Sequence, residues 1–105
     1  MDKYIVVTTL CNKEKIANKI IDTLLEKRLV AGSQLSKVHS KYWWNNKLEE
    51  CDEFKIEFRT TLSLFEKVKN EIKKTHNYET PEISCYTISN GNSDFLNWID
   101  KYTSK

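Results

Sequence analysis

The densest group of chemistry-bearing side chains is His76 with Tyr78, Glu79 and Glu82. An imidazole beside two carboxylates offers the nitrogen and oxygen donors that hold Cu2+ or Zn2+. No pair among them has the i,i+4 helical spacing of an HExxH site, and Pro81 places the run in a loop before a strand. His76 also extends the stripe Phe65, Val68, Ile72 by one helical turn, so a packed or capping histidine competes with a metal ligand. A second group alternates along the chain: Glu49, Cys51, Glu53, Lys55, Glu57 and Arg59. A period of two puts them on one strand face. They form either a polar face of cross-strand ion pairs, or a cleft between subunits where Lys55 and Arg59 receive an anion and Glu53 orients it. A third group is aromatic. Tyr42 and Trp44 either pack in an interface or stack on a ligand ring or base. His39 opposite Asp52 offers a cross-strand pair with a mild pH response.

Other chemistries find little support. Cys11, Cys51 and Cys85 are widely spaced and include no CxxC, which argues against a zinc ribbon or disulfide framework and for reduced thiols in the cytoplasm. The sequence places no base beside a cysteine and no paired carboxylates in a pocket, so the chain reads as a non-enzyme. Only Gly32 and Gly91 are available for a phosphate loop. Seventeen basic against fifteen acidic residues give +2, which is not a polyanion-directed composition. The aromatic strand signature of RNA-binding sheets is missing as well, so no nucleic-acid partner is expected. No apolar run approaches the roughly 18 residues a bilayer span needs, and no signal peptide is visible. Membrane partners are therefore not expected, and the expected location is cytoplasmic.

The elements that must position these groups follow from periodicity. With 105 residues, 39% of them apolar, and one proline, the chain has the makings of one domain. Tyr4–Leu10 is β-branched and apolar on both parities, which predicts a central strand. Ile16, Ala17, Ile20, Ile21, Leu24 and Leu25 predict a helix over about 13–28, capped by Asn12 and closed by Lys27 and Arg28. Two extended runs then flank Asn45-Asn46, a workable hairpin turn. Registering on that turn sets Trp44 opposite Lys47, Trp43 opposite Leu48, Tyr42 opposite Glu49, Lys41 opposite Glu50, His39 opposite Asp52 and Leu35 opposite Ile56. Val38 has the wrong parity to share a face with Leu35, so a bulge or bend is expected between them. Ser63–Glu66 reads as a capping box opening a helix to about Lys74. Glu82–Ser89 reads as a strand, and Ser93 caps a last helix with Phe95, Leu96, Trp98, Ile99 and Tyr102 inward.

The order βαββαβ plus a C-terminal helix predicts an α+β, ferredoxin-like sandwich with both crossover helices on one face. Its second and third strands form a long hairpin. The arm from residue 33 to 44 extends roughly 40 Å, whereas a first helix of about 16 residues reaches roughly 24 Å. The hairpin therefore overhangs the helices by roughly 15 Å, carrying Tyr42, Trp43, Trp44 and Leu48 at its tip. An apolar patch of that size calls for a cover, and closed self-association is the commonest one.

Several stretches in order carry a resemblance. They are Glu26-Lys27-Arg28-Leu29-Val30-Ala31, Ser40-Lys41-Tyr42-Trp43-Trp44, Lys47-Leu48-Glu49-Glu50, Arg59-Thr60, His76-Asn77-Tyr78-Glu79-Thr80-Pro81-Glu82 and Phe95-Leu96-Asn97-Trp98. Over nearly the whole chain this pattern resembles the CutA divalent-ion tolerance family, small trimers related in architecture to PII signalling proteins. The resemblance implies a single CutA-like domain over residues 1–105 and a homotrimer whose sheets pack inward. It implies hairpins that pair with neighbouring subunits through Tyr42, Trp43, Trp44 and Leu48. It further implies a non-enzymatic role in the response to metal ions, with Cu2+ or another divalent metal as a weak, non-obligatory ligand; His76, Glu79 and Glu82 are the donors in view. The alternative is a PII-like regulator holding a small anion in an inter-subunit cleft lined by Trp44, Glu53, Arg59 and Tyr78. The chain departs from the family at Gly32, where many members carry Cys, at Asn46, often Gly, and at Asn77, often Pro. Thr9 stands where some members have a Cys proposed as a metal ligand, and Cys11 lies two residues later, which weakens the case for a thiolate copper site.

Overall fold

β-Branched and aromatic runs become strands and the 3.6-residue stripes become helices in the computed structural model, which describes residues 2–104. The order is β1 (Tyr4–Cys11), α1 (Glu14–Glu26), β2 (Gly32–Trp44), β3 (Lys47–Thr61), α2 (Phe65–Thr75), β4 (Ile83–Thr87) and α3 (Ser93–Tyr102). The domain expected over 1–105 includes Met1 and Lys105, which lie outside the described residues. The four strands form one sheet in the order β2-β3-β1-β4, every neighbouring pair antiparallel. β1 and β3 are the inner strands, so each crossover helix spans one intervening strand. This is the ferredoxin-like α+β arrangement expected from the sequence.

Register assigns the two faces. Ile5, Val7 and Cys11 of β1 stand level with Thr60, Phe58 and Phe54 of β3. They meet Ala17, Ile20 and Leu24 of α1 and Val68 and Ile72 of α2 in one buried cluster. Each large aliphatic or aromatic side chain there contributes about 1.5–3 kcal/mol by leaving water. The opposite face carries Tyr4, Val6 and Thr8 with Arg59 and Glu57, and Gly32 and Gln34 beyond them. α3 crosses one end of this second face. Trp98 lies over Gly32, Tyr4 donates its hydroxyl to Asp100, and Ile99 is fully buried.

The hairpin rungs fall where the turn-based register sets them, from Trp44 opposite Lys47 to Leu35 opposite Ile56. Asn45 and Asn46 have φ of 50° and 61°, both left-handed, as a two-residue I′ turn demands. The expected bulge is missing. The rungs run unbroken, with Val38 opposite Glu53 on the second face. Leu35 and Val38 are both half-buried on opposite faces, so their parity needs no kink.

The capping expectations are corrected. The N-cap of α1 is Lys13, without a side-chain cap bond; Asn12 instead accepts a hydrogen bond from Asn77 Nδ2 at 3.1 Å. Lys27 and Arg28 lie beyond α1. Arg28 takes φ 58°, with Arg28 N–H donating to Leu25 O and Leu29 N–H to Leu24 O, the pattern of a Schellman closure. Ser63 does not cap α2. Asp2 takes both its N–H (3.1 Å) and its hydroxyl (2.5 Å), and a 3-10 turn at Leu62–Leu64 precedes the helix. Asn92, not Ser93, precedes α3 as its cap residue, also without a side-chain bond. Of the five α3 side chains expected inward, Trp98 and Tyr102 remain 37% and 39% exposed, because the second face is covered by only this one short helix.

Candidate functional site

A cleft of about 750 Å³ opens between the outer half of the hairpin and the connection from α2 to β4. The hairpin supplies Tyr42, Trp44 and Glu53, the connection supplies Tyr78, Glu79 and Glu82, and Leu10 closes its base. Regular backbone on one side and a pinned loop on the other make the geometry.

His76 pins the loop. Its own N–H donates to Ile72 O and ends α2. Its Nδ1 accepts the Tyr78 N–H at 3.1 Å. The ring proton therefore sits on Nε2, which donates to Leu10 O at 2.7 Å. The imidazole also packs at 4.8 Å from the Tyr78 ring. Asn77 adds its bond to Asn12, and the pyrrolidine of Pro81 fixes the backbone just before β4. Tyr78 then donates its hydroxyl to Glu53 Oε2 at 2.5 Å. Burial, and next the Glu53 carboxylate, push the Tyr78 phenol far above its ordinary value of 10.0, so it remains a donor throughout the working pH range. Glu53 itself is 6% exposed. Nearby, the hydroxyl of Tyr42 lies 3.6 Å from Cys51 Sγ, and this contact with the thiol is the first cause raising the Tyr42 phenol above its ordinary value.

Of the residues singled out from sequence, Trp44, Glu53, Tyr78, Glu79 and Glu82 share this cleft. Arg59 does not line it. Arg59 shares the face of Glu53 but lies six residues further along β3, roughly 20 Å at strand rise, with its Nη1 3.7 Å from Glu57. Lys55 likewise lies 3.8 Å from Glu57. His76 sits behind the cleft with both nitrogens engaged. Among the described residues, no group of three or more His, Cys, Asp and Glu side chains is gathered as a metal ion requires. Trp43 and Leu48, each 70% exposed, crown the hairpin, with Tyr42 and Trp44 each at 41%. Two features escaped the sequence reading. The Tyr42–Cys51 contact is a diagonal of the hairpin and was legible from its register. The Leu10 carbonyl as the partner of His76 left no signal, since any residue supplies a carbonyl.

Comparison with known proteins agrees with this architecture. Residues 5–102 match the family model described as CutA1 divalent ion tolerance protein. A divalent-cation tolerance protein CutA of Pyrococcus horikoshii is 37% identical over 101 residues, 96% of this chain and 98% of that protein. The crystal structure of CutA1 from Pyrococcus horikoshii superposes with a TM-score of 0.91 at 34% identity, covering 96% of this chain and 99% of that one. A structure described as the periplasmic divalent cation tolerance protein CutA from Archaeoglobus fulgidus gives 0.92 at 32% identity, covering 94% and 97%. With a ferredoxin-like sheet, an overhanging hairpin and a family match across nearly its whole length, this chain belongs to the CutA1 divalent ion tolerance family.

Proposed function

We propose that the chain works as a non-enzymatic homotrimer in divalent-cation tolerance, each hairpin tip sheltered by a neighbouring copy. The observation that carries this reading is the exposed tip of the arm, where Trp43 and Leu48 are both 70% exposed. Polar atoms on the second face support it too. Arg59 Nη1 and Thr8 Oγ1 are buried without a hydrogen-bond partner among the described residues, and a second copy packed on that face would supply acceptors. The double variant Trp43→Ser, Leu48→Ser tests the reading by sedimentation equilibrium. The expected outcome is a shift from trimer toward a 12.4 kDa species with the fold retained by circular dichroism; an unchanged mass distribution counts against it.

Weak divalent-metal binding is the second reading, with His76, Glu79 and Glu82 as donors. Its support is the position of Glu79 and Glu82 on the wall that faces Glu53. The arrangement does not fit a preformed metal cage, because the imidazole nitrogens already serve Leu10 and Tyr78. A metal there must break at least one of these bonds, which is why the binding is proposed as weak. Titration with Cu2+ is expected to saturate in the wild type and to weaken in His76→Ala; equal binding by both removes His76 from the donor set. The PII-like anion reading is less well supported, since Arg59 and Lys55 stand outside a cleft walled by carboxylates. A cytoplasmic location is proposed from the three free cysteines, although the Archaeoglobus relative is described as periplasmic. Among the described residues, no helix is long and apolar enough to cross a membrane.

A further inference from the structure

The turn between β4 and α3 holds a reactive pair that the cleft does not use. Asn90 is the one asparagine of the chain followed by glycine. Residues 88–92 form neither helix nor strand, and residues 89–94 are all exposed. Asn90 Oδ1 accepts the Gly91 N–H at 2.9 Å. Among the described residues that N–H joins no backbone–backbone hydrogen bond, so neither the sheet nor a helix ties it down. The bond bends the Asn90 carboxamide back along the main chain and sets its carbon, one bond from Oδ1, beside the Gly91 nitrogen. Gly91 carries no Cβ to shield that nitrogen. The turn is also remote from the hairpin tip. Ile88 N–H donates to Tyr4 O, at the end of β1 that pairs with Thr61, whereas the arm leaves the sheet beyond the other end, where Cys11 pairs with Phe54.

The other asparagines lack this combination. Asn18, Asn70 and Asn97 lie inside helices, where the next N–H is committed to the helical ladder. Asn12, Asn45, Asn46 and Asn92 precede Lys13, Asn46, Lys47 and Ser93, each with a side chain beside the nitrogen. Asn77 precedes Tyr78, whose N–H is held by His76 Nδ1 at 3.1 Å.

We propose that Asn90-Gly91 is a site of covalent self-modification, at which the folded chain deamidates through a cyclic imide with water as its only co-reactant. Gly91 N gives up its proton to solvent base and bonds to Asn90 Cγ. The Cγ–Nδ2 bond breaks, and Nδ2 leaves as ammonia. Water then adds to one of the two imide carbonyls. Addition at Cγ breaks the new bond and leaves aspartate; addition at the main-chain carbonyl breaks the original peptide bond and leaves isoaspartate, with the chain running through Cγ. Nothing is oxidised or reduced. Either product adds one negative charge to a chain of net +2. Isoaspartate also lengthens the backbone two residues before Asn92, the cap residue of α3, so aged protein carries its change at the start of the helix that covers the second face. The ring closes within two adjacent residues and asks nothing of a second copy.

Incubation of the folded protein in warm, mildly alkaline buffer, followed by peptide mapping with mass spectrometry, tests the proposal. Asn90 is expected to convert before every other asparagine, to yield aspartate and isoaspartate together, and to convert faster as pH rises. A Cβ at position 91 meets Leu96 Cδ2 at 3.4 Å, an ordinary contact, and no glycine here has positive φ, so Gly91→Ala is expected to fold, as thermal melts check. It is expected to slow the conversion by roughly tenfold. Asn90 left intact after another asparagine has converted overturns the proposal. So does aspartate formed without isoaspartate, a rate indifferent to pH, or a Gly91→Ala variant that converts as fast as wild type. The product ratio and the pH profile come from the wild type alone, so the test stands even if the variant fails to fold.

Discussion

His39 is the side chain whose charge its neighbours most plainly set. Asp52 first and Glu50 second raise its pKa above the ordinary 6.5, outweighing a small effect of burial in the other direction. The folded form therefore binds the proton more tightly than the unfolded chain. The resulting contribution to stability is complete below the ordinary value and is lost as pH rises through the raised one. The whole cluster is open to solvent, so the contribution is small. A proton NMR titration is expected to place the His39 midpoint above 6.5 and to find it lowered in Asp52→Asn; an unmoved midpoint contradicts the pairing. This pair was legible in the sequence because the Asn-Asn turn fixes the rungs and His39 falls opposite Asp52. His76 was legible only in part. Its helical stripe foretold a packed ring, yet the bonds that orient the ring run to backbone atoms, which carry no sequence signature. Glu53 was seen as one member of a polar face, whereas its burial depends on Tyr78 arriving from 25 residues away.

Between secondary-structure elements, the contact of α3 with β2 gives a sharp test. A Cβ placed on Gly32 falls 2.7 Å from Trp98 Cη2, well inside van der Waals contact. Gly32 is thus required by close approach and not by its backbone angles, since no glycine here has positive φ. Gly32→Ala is expected to cost about 1–3 kcal/mol through displacement of the indole. Chemical denaturation followed by tryptophan emission measures it, and a stability equal to wild type contradicts the packing described. Strand and helix positions were readable because hydrophobic period is a local property. The helix caps were not, since their partners are remote: Asp2 reaches Ser63 across 61 residues, and Asn77 reaches Asn12 across 65. A capping motif read from four consecutive residues has no means of registering such competition. The element order with right-handed crossovers foretold the four-stranded sheet, whereas the resemblance that put Arg59 in a cleft with Glu53 did not foretell that Arg59 lies away from it.

The molecule as a whole is shaped by its arm. Its radius of gyration is 14.3 Å and its longest dimension 44 Å, against 26 and 21 Å in the others. A compact chain of this length has a radius of roughly 13 Å. β2 alone, at 13 residues, spans roughly 43 Å, so the arm accounts for the long axis, while α1 reaches roughly half as far. Length and composition made the overhang readable in advance; what shelters it lies beyond a single chain. Light scattering of the wild type in dilute buffer, combined with iodide quenching of tryptophan, probes that shelter most directly. The expected result is a particle of three times 12.4 kDa, with Trp43 and Trp44 shielded from iodide despite their exposure in the isolated subunit. A 12.4 kDa particle whose three tryptophans are all quenched freely contradicts it.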